Sequence, residues 1–376
     1  MAPNHGVPYP RPPAHTSAPP LETHLSFPVP VVATASLLPD TVVSNAEIGE
    51  MLIHGSGAHA PVEDSAATRS RAGDIQRKTG LVERRFFAPD ASPVGAGLAL
   101  LERLLADAGA GWDELDAVIV SSSSTQGFPG LSQQLVAAAR VTHPELGHPF
   151  VLDVSSNACT GFMYGLGIGA STLRALGQRK VAVLAIEFSS RCLRYDNKAF
   201  GISTLFGDAA AGMLLAPDGP ARATLESVRL TSRIDRDSIG LVRGGGMQAH
   251  RPDLPVPIEA RWYMAGPPVA LGAIEILLAE VRQYQAAGVE VDWLVPHQAN
   301  LTRILEPACD KLGIPRERLC ASFERTGNTS SASIPLLVDE LLRSGRTRPG
   351  DDAVLVGFGA SFSVGSAHLR IGTPRT

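Results

Sequence analysis

The chain repeats one order of structural elements twice, and this repetition constrains its fold more than any other feature. From about residue 98 onward, stretches with helical spacing of apolar residues alternate with short apolar runs typical of buried strands, which predicts an α/β architecture. The first half gives alternating helices and strands at 98–108, 117–120, 131–141, 150–154, 160–176 and 181–186. The second half gives helix, strand, helix, helix and strand at 271–284, 293–295, 300–312, 329–344 and 353–356. We therefore expect two related halves.

The first part of the chain differs in composition from the rest. Nine of the 29 prolines lie within the first 30 residues of this 376-residue chain. Proline-rich sequence with few aromatic residues buries too little surface to offset its ordering entropy, so we expect residues 1–28 to form a flexible tail. The remaining sequence divides into an N-terminal half, 29–217, and a C-terminal half, 218–376. Length alone suits two independent domains, but the duplication predicts two halves of a single site.

Cysteine content, hydropathy and charge argue against several classes of protein. The four cysteines are scattered and include no C-x-x-C pair, so we expect neither a disulfide scaffold nor a zinc site, and we expect a reducing cytoplasm as the location. The start of the chain lacks the unbroken apolar run of a secretory signal, and no stretch of about 18 residues suits a membrane span. A net charge of −4, without a long basic run, gives no reason to expect nucleic acid as a partner.

Three polar residues fall at related points of the two halves. Cys159 begins the third helix of the first half, Asn328 begins the third helix of the second half, and His297 directly follows an apolar strand. In a parallel α/β sheet, the carboxyl ends of the strands and the N-termini of the following helices share one edge, where ligands bind. The duplication therefore predicts that Cys159, His297 and Asn328 lie on one side of the molecule.

Each of these residues also has an ordinary structural explanation. A cysteine at a helix N-terminus faces free backbone N–H groups that stabilise its thiolate, as a nucleophile requires, yet most buried cysteines are inert packing residues. A histidine at the end of a strand is usually structural, and Asn328 could simply cap the helix that follows it. The coincidence of all three at related positions favours a catalytic site, whereas Cys192, Cys309 and Cys320 keep the structural interpretation.

Five motifs in order resemble those of a known enzyme family. They are DVSSNACTGFMY at 153–164, FGDAAAGMLL at 206–215, PHQAN at 296–300, GNTSSAS at 327–333 and GFGASFSVGSAHLR at 357–370, with KTGL at 78–81 before them. Together they cover about residues 30–372 and resemble the β-ketoacyl-acyl-carrier-protein synthase III family of thiolase-superfamily condensing enzymes. The resemblance implies a thiolase-like duplicated fold, with two related α/β halves in a layered αβαβα arrangement.

The resemblance also implies a role for each catalytic residue. Cys159 would be the acyl-accepting nucleophile, while His297 and Asn328 would donate hydrogen bonds to the thioester enolate that forms when an extender unit loses CO₂. The backbone N–H groups of Cys159 and Ala360 would form the oxyanion site for the acyl-transfer step.

Further residues are assigned to substrate binding on the same resemblance. The acyl pocket would be lined by Phe128, Phe206 and Phe358, with Phe128 reaching across a homodimer interface. Lys78 and Arg303 would bind the acyl carrier protein or its pantetheine arm. The resemblance implies no metal and no permanently bound cofactor, since acyl groups would arrive as thioesters of acyl carrier protein or coenzyme A.

Three positions depart from the family pattern. Asp74 stands where coenzyme A users place a tryptophan that stacks on adenine, and Lys78 replaces the usual arginine. A carboxylate cannot stack on adenine and would repel phosphate, which argues against ordinary acyl-coenzyme A priming. Thr302 occupies the position of another family arginine, with Arg303 next to it. These differences favour a specialised relative that takes an unusual or already elongated acyl chain, as in secondary-metabolite or signal-lipid assembly.

Three functions are compatible with this pattern. The leading hypothesis is carbon–carbon bond formation by Claisen condensation through an acyl-Cys159 intermediate. The alternative is an acyltransferase that passes the same acyl group to an oxygen or nitrogen nucleophile without condensation, and the presence of Asn328 argues against it. A partner subunit without activity is the third hypothesis, and the retained nucleophile argues against that one.

Overall fold

The computed structural model describes residues 23–25, 27–54, 65–124, 127–155, 157–193, 195, 200–232, 266–359 and 362–372. The strands within these residues are β1 (Thr23–Leu25), β2 (Val29–Leu37), β3 (Thr41–Ser44), β4 (Glu83–Phe86), β5 (Leu115–Ser121), β6 (Phe150–Val154), β7 (Lys180–Glu187), β8 (Ala209–Leu215), β9 (Ala223–Ser232), β10 (Trp293–Pro296), β11 (Asp352–Phe358) and β12 (Ser363–Ile371). The helices are α1 (Asn45–His54), α2 (Ala66–Thr79), α3 (Pro93–Ala108), α4 (Leu131–Thr142), α5 (Gly161–Ala175), α6 (Phe200–Ser203), α7 (Gly266–Ala286), α8 (Glu306–Leu312), α9 (Phe323–Thr326) and α10 (Ser333–Arg343).

The strand order contains the same pattern twice. Ten of the described strands form one sheet in the order β10-β11-β12-β9-β2-β8-β7-β5-β6, with β1 paired to β9, while β3 and β4 pair separately. In this sheet β10·β11, β7·β5 and β5·β6 are parallel and the other pairs are antiparallel. The series β5-β7-β8-β2 and β10-β11-β12-β9 therefore share one order and one set of directions, and they meet where β2 pairs with β9. This is the duplicated topology that the sequence predicts.

Helices form three layers against the two halves of the sheet. On the outer side of the first half, α3 and α4 bury Leu100, Leu104 and Leu135, and α7 and α8 cover the outer side of the second half. The middle layer consists of α5, which contacts β9 and β12 of the second half, and α10, which contacts β2 and β8 of the first. Phe162 of α5 and Leu337 of α10 share the central core. The packing confirms the expected αβαβα layers.

Local sequence signals explain where helices begin and end. Before α1, the backbone N–H of Ser44 donates to the Glu47 carboxylate at 2.7 Å and the N–H of Glu47 donates to the Ser44 hydroxyl at 3.2 Å, which is a capping box. Ser92 caps α3 by accepting from the N–H of Gly95 at 2.9 Å. Gly109 ends α3 in the left-handed conformation that glycine adopts without strain.

Two helices of the second half begin differently from the prediction. The helix expected at 300–312 starts as a π-helical turn, Leu301–Leu305, before α8. Pro307 accounts for this difference, because it has no N–H to continue the α-helical ladder. The helix expected at 329–344 starts as a 3₁₀ turn, Ser330–Ala332, before α10.

Two segments near the limits of the described residues differ from the prediction. The expected closing strand, β11, is followed by β12, which pairs with β11 and β9 and is buried on both faces, so it lacks the polar alternation of a half-buried strand. At the other end, Thr23–Leu25 of the predicted tail pairs with β9, because these residues contain no proline and can join the ladder. Residues 1–22 and 26 lie outside the described residues. The predicted boundary after residue 217 falls between β8 and β9.

The described part of the chain offers neither a membrane span nor a metal cluster. No helix there combines the length and the apolar character that crossing a bilayer requires. Among the same residues, His, Cys, Asp and Glu side chains form no group of three or more that could hold a metal ion.

Candidate active site

The turn between β6 and α5 carries Cys159. Residues Ala158–Thr160 form a 3₁₀ turn, and Ala158 adopts a left-handed φ of 47°. At Gly161, where α5 begins, a Cβ atom would overlap the Ser121 hydroxyl at the end of β5. The glycine therefore lets the turn approach the carboxyl end of the sheet, where the Cys159 thiol is partly buried.

A second turn, before α10, carries Asn328. Its backbone N–H donates to the carbonyl of Leu205 at 2.8 Å, and its carbonyl accepts from the N–H of Gly207 at 3.0 Å. Its side-chain Oδ1 accepts from the N–H of Ser330 at 2.8 Å, which orients the carboxamide so that the Nδ2 hydrogens are the donors it can offer. Asn328 lies five residues before α10 and Cys159 lies two residues before α5, so the two are close to the same point of the repeat but offset.

The two turns meet at Ser330. The Ser330 hydroxyl oxygen lies 3.6 Å from the Cys159 sulfur, within hydrogen-bonding distance for sulfur. The turn that carries Cys159 also contacts the second half through Thr160, whose hydroxyl donates to the carbonyl of Ser363 at 2.9 Å. The structure thus brings Cys159 and the Asn328 turn together from distant parts of the chain.

His297 directly follows β10 and is buried. Its Nδ1 lies 2.7 Å from the Ser333 hydroxyl oxygen, which also lies 2.8 Å from the carbonyl oxygen of Ser330. A carbonyl can only accept, so it takes the hydroxyl hydrogen, and the Ser333 oxygen accepts from the ring. The hydrogen bonds therefore assign the hydrogen of the neutral imidazole to Nδ1 and leave Nε2 as an acceptor.

The surroundings of His297 keep the ring neutral. Burial lowers the pKa of His297 to about 3, although a hydrogen bond to the Ser330 backbone acts in the opposite direction. The ring of Phe358 meets the imidazole edge-on, with 5.1 Å between the ring centroids. The sequence led us to expect an imidazole N–H aimed at an enolate. In the resting chain that N–H points to Ser333 instead, so Nε2 must take up a proton before it can donate.

The Cys159 thiol is protonated in the resting site. Burial raises its pKa to about 12, and the charge of Glu187 also raises it, while hydrogen bonds from Ser330 and from its own backbone N–H lower it. The backbone N–H of the helix start lowers this pKa, as expected for a cysteine in this position, but desolvation outweighs that effect. A role as a nucleophile would therefore require that this proton is removed first.

A buried carboxylate beside this turn is absent from the sequence prediction. Glu187 ends β7 and has no exposed surface. It accepts from the hydroxyls of Ser123 and Ser331 at 2.9 and 2.5 Å, and from their backbone N–H groups at 3.2 and 3.3 Å. Burial raises the pKa of Glu187. The signal in the sequence is a single acidic residue directly after the apolar run 181–186, beside the serine run 121–124 in space.

Two of the predicted pocket residues lie beside the turns that carry Cys159 and Asn328. The backbone of Phe206 forms a β-bridge with Asn328, and Phe358 ends β11 against His297. Both phenylalanines are buried, and they share an apolar cluster with the partly buried Cys159. The two rings and the thiol therefore lie in one apolar region.

The two predicted carrier-binding residues lie on neighbouring surface elements. The hydroxyl of Thr302 donates to the carbonyl of Lys78 at 3.4 Å, which joins the end of α2 to the π-helical turn that carries Arg303. The side chains of Lys78 and Arg303 are exposed. The Asp74 carboxylate pairs with Arg77 and lies 3.9 Å from the Lys78 ammonium. Asp74 therefore forms ion pairs with basic residues of its own helix.

Comparison with known proteins identifies the family. One family model, described as 3-oxoacyl-[acyl-carrier-protein] synthase III, matches residues 152–233, and a model for the C-terminal part of the same enzymes matches 282–371. A β-ketoacyl-[acyl-carrier-protein] synthase III from Acidiphilium cryptum is 33% identical over 327 residues, which cover 85% of this chain and 98% of that protein. The chain belongs to the β-ketoacyl-acyl-carrier-protein synthase III family.

Solved structures of this family have the same fold. The synthase III from Pseudomonas aeruginosa matches with a TM-score of 0.74 and 28% identity, covering 93% of this chain and 100% of that one. The priming β-ketosynthase of a polyketide biosynthetic pathway matches with a TM-score of 0.75 and 30% identity, covering 93% of this chain and 98% of that one. The chain is thus an enzyme of the synthase III type with a thiolase-like α/β fold.

Two residues assigned from the synthase III resemblance do not take part in the described site. Phe128, on the loop before α4, is fully exposed, so it lines no pocket of its own chain. Its predicted role requires a second chain. Ala360 lies outside the described residues, and its oxyanion role stays a prediction.

Proposed function

We propose that this synthase III relative forms carbon–carbon bonds by Claisen condensation through an acyl thioester on Cys159. One observation carries the proposal: a thiol, an amide donor and an imidazole surround a single turn. Ser330 of that turn contacts the Cys159 sulfur and the Asn328 side chain, and its carbonyl holds the serine that binds His297. A nucleophile with donors for a developing negative charge is what this condensation requires.

In the proposed first step, the Cys159 sulfur attacks the carbonyl carbon of an acyl thioester. A thioester bond forms to Cys159, the bond to the carrier sulfur breaks, and the leaving thiolate takes a proton from solvent. The backbone N–H of Cys159, together with that of Ala360 by family resemblance, would stabilise the oxyanion of the tetrahedral intermediate. The proton of the Cys159 thiol must be removed for this step, since the resting pKa is about 12.

In the proposed second step, a malonyl-type extender loses CO₂ and forms an enolate. The enolate carbon attacks the acyl carbonyl, which makes the carbon–carbon bond and releases Cys159 as a thiolate. Asn328 offers a neutral N–H to the enolate oxygen. His297 becomes the second donor when the bound anion raises the pKa of the ring and Nε2 takes a proton from solvent, and it returns this proton to solvent once the enolate has reacted. Neither residue adds a negative charge to the site.

An acyl carrier protein is the proposed acyl donor. The exposed cations Lys78 and Arg303 offer an attachment point for an acidic carrier surface or a phosphopantetheine group. Asp74 supports a carrier protein over coenzyme A, because a carboxylate in this position cannot stack on adenine. We also propose a specialised role for the enzyme, and the similarity to a priming β-ketosynthase of a polyketide pathway supports it.

A cytoplasmic homodimer is the proposed working form. Phe128 is fully exposed in a single chain, which supports a position in the acyl pocket of a partner subunit. No disulfide joins the four cysteines, all of them among the described residues, and a reducing compartment keeps their thiols reduced.

Adduct formation by acyl donors tests the proposed function. The purified chain is incubated with panels of acyl-carrier-protein and acyl-coenzyme A thioesters and then weighed intact. We expect an acyl mass on Cys159, no such mass in Cys159→Ala, and CO₂ with an elongated β-ketoacyl product after addition of a malonyl donor. Absence of an adduct with every donor, or an adduct that persists in Cys159→Ala, would contradict the proposal.

The same experiment separates the alternative function. An acyl group on Cys159 without CO₂ release, but with transfer to an added alcohol or amine, would identify an acyltransferase that performs no condensation. Retention of Asn328 favours condensation, because its N–H donors serve the enolate and acyl transfer alone does not need them.

A further inference from the structure

Glu187 is a buried acid that the proposed reaction leaves unused. Its Oε1 lies 2.9 Å from the Ser123 hydroxyl oxygen, which lies 2.8 Å from the Ser330 hydroxyl oxygen, which in turn lies 3.6 Å from the Cys159 sulfur. We propose that Glu187 accepts the proton of Cys159 through Ser330 and Ser123 and holds it while the cysteine carries the acyl group. This inference rests on the proposed acyl-Cys159 intermediate.

The chain of contacts allows two consistent arrangements of hydrogens. Each hydroxyl has one hydrogen, and each contact needs one hydrogen between its two heavy atoms. The Ser330 hydroxyl donates to the sulfur in the resting site, and the transfer begins when it turns towards Ser123. With Glu187 ionised, the thiol then donates to Ser330, Ser330 donates to Ser123, and Ser123 donates to the carboxylate. When Glu187 is protonated, every hydrogen points the other way and the sulfur is a thiolate. Passing from the first arrangement to the second breaks the S–H bond, shifts one hydrogen across each contact and forms an O–H bond on Glu187.

Electrostatics favours this transfer over loss of the proton to solvent. A thiolate beside an ionised Glu187 would place two negative charges in a desolvated region, which is costly. If the proton moves to Glu187, one negative charge passes from the carboxylate to the sulfur and the total stays the same. The pKa directions agree with one proton being shared between Cys159 and Glu187. Burial raises the pKa of both groups, and the charge of Glu187 raises that of Cys159.

The stored proton also serves the end of the cycle. While the acyl group is on Cys159, both the sulfur and Glu187 are neutral, so neither repels an anionic extender. After condensation, Cys159 leaves as a thiolate and recovers its proton from Glu187 through Ser123 and Ser330. The carrier thiolate released earlier takes its proton from solvent, so each cycle consumes one proton, as decarboxylative condensation requires.

Several titratable groups surround this path. Cys159 faces the carboxylate from the nucleophile turn, and His297 approaches from β10, held by Ser333. On the β5 side, the thiol of Cys192 donates to the carbonyl of Ser124 at 3.5 Å. The pKa of His297, about 3, keeps that ring neutral at neutral and alkaline pH.

Alkylation can occur at Cys192 as well as at Cys159. The masses of the alkylated peptides distinguish the two cysteines.

Ser123 and Ser331 provide a matched pair of variants. Each gives Glu187 one hydroxyl and one backbone N–H, but Ser123 lies in the path to Cys159 and Ser331 lies outside it. The test measures the rate at which iodoacetamide alkylates Cys159 between about pH 7 and 9, in the wild type, Ser123→Ala, Ser331→Ala and Glu187→Gln. Iodoacetamide is uncharged, so its own state does not change with pH.

Internal transfer of the proton and its release to solvent predict different pH dependences of the alkylation rate. In the wild type and Ser331→Ala, thiolate formation releases no proton, so we expect the rate to change less than about twofold over this range. In Glu187→Gln the internal acceptor is gone and the proton goes to solvent, so we expect the rate to rise about tenfold per pH unit. Ser123→Ala leaves the acceptor in place, so its alkylation rate should stay flat with pH, but an acyl thioester should acylate Cys159 at least about tenfold more slowly than in Ser331→Ala, because the path for the proton is interrupted. If Ser123→Ala does not fold, Ser330→Ala interrupts the same path and gives the same comparison.

Three results would overturn the inference. They are a wild-type rate that rises about tenfold per pH unit, an equally flat profile for Glu187→Gln, and a Cys159 that iodoacetamide does not alkylate in the folded wild type. Alkylation needs no acyl donor, which separates this test from that of the proposed function. If the alkylation rate is independent of pH but no acyl adduct forms, the proton path is supported and condensation is rejected. If an acyl adduct forms but the alkylation rate rises steeply with pH, condensation is supported and the proton path is rejected.

Discussion

The Nδ1 atom of His297 lies 2.7 Å from the hydroxyl oxygen of Ser333, and this contact decides which ring nitrogen carries the hydrogen. Ser333 gives its own hydrogen to the carbonyl of Ser330 at 2.8 Å, so it accepts from the ring and leaves the lone pair on Nε2. Ser333 is also the first residue of α10. The orientation of the imidazole is therefore coupled to the turn that holds Asn328.

Replacing Ser333 with alanine should impair the second half-reaction more than the first. The variant removes the acceptor that holds Nδ1, and a hydrogen bond to a ring that becomes charged is worth about 1.5–3 kcal/mol, or about tenfold to a hundredfold in rate. CO₂ release from a malonyl donor and the rate of Cys159 acylation are measured separately. Ser333→Thr keeps the hydroxyl and should recover most of the loss. Equal losses in both half-reactions, or a threonine variant as slow as alanine, would mean that Ser333 is merely structural.

Replacing Asn328 with aspartate should abolish decarboxylation while leaving the local backbone in place. An aspartate oxygen can still accept from the N–H of Ser330, so the turn keeps its hydrogen bond. The variant loses the Nδ2 donors and adds a negative charge next to the enolate. Removal of one oxyanion donor typically costs about 10²–10³ in rate, and the added charge should increase that cost. CO₂ release measures the effect, and a loss of less than about tenfold would exclude Asn328 as an enolate donor.

The buried His297 should make the folded state less stable in acid. Its pKa is about 3 in the folded chain against an ordinary value of 6.5, so between these limits the unfolded chain binds a proton that the folded chain does not. The free energy of unfolding therefore falls with pH below 6.5, by up to about 1.4 kcal/mol per unit, and this contribution is fully present above 6.5. Urea midpoints of the wild type and His297→Gln measure it. If the urea midpoints of the two proteins change with pH in parallel, His297 is not a buried neutral ring in the folded chain.

Two helical glycines should respond in opposite directions to alanine. On α5, a Cβ at Gly169 would lie 2.8 Å from Val183 Cγ2 in the central core, so Gly169→Ala should destabilise the chain by about 1–3 kcal/mol. On α2, the nearest atom to a Cβ at Gly73 is the flexible end of Arg77, 3.2 Å away, so Gly73→Ala should stabilise it by about 0.5–1 kcal/mol. Denaturant unfolding of both variants measures the difference. A destabilised Gly73→Ala or a neutral Gly169→Ala would contradict the packing of these helices.

Periodicity was sufficient to predict most of the element order. The strands β5, β7, β10 and β11 and the helices α4 and α5 lie within a few residues of their predicted positions, because each has a local apolar pattern. The pattern failed where both faces are buried, as in β12, and where a proline interrupts the hydrogen-bond ladder, as in the turn before α8. In both cases the deciding contacts come from other parts of the chain.

The convergence of Cys159, His297 and Asn328 could be expected from the repeat, because strand ends and helix starts of related halves share one edge of the sheet. The residues that connect them were not predictable in this way. Ser123 and Glu187 come from different strand ends of the first half, and Ser330 and Ser333 from one turn of the second. Serine and glutamate have many ordinary uses, and their pairing depends on side-chain positions that spacing does not specify.

Motif spacing was therefore enough to establish a duplicated α/β chain and its three candidate catalytic residues. The protonation states came from the folded chain alone. Burial raises the pKa of Cys159 and lowers that of His297, and the contact with Ser333 assigns the hydrogen of the neutral ring to Nδ1. The physical reason is that desolvation and hydrogen-bond partners set a pKa, and both are supplied here by residues of the two halves packed around one buried turn.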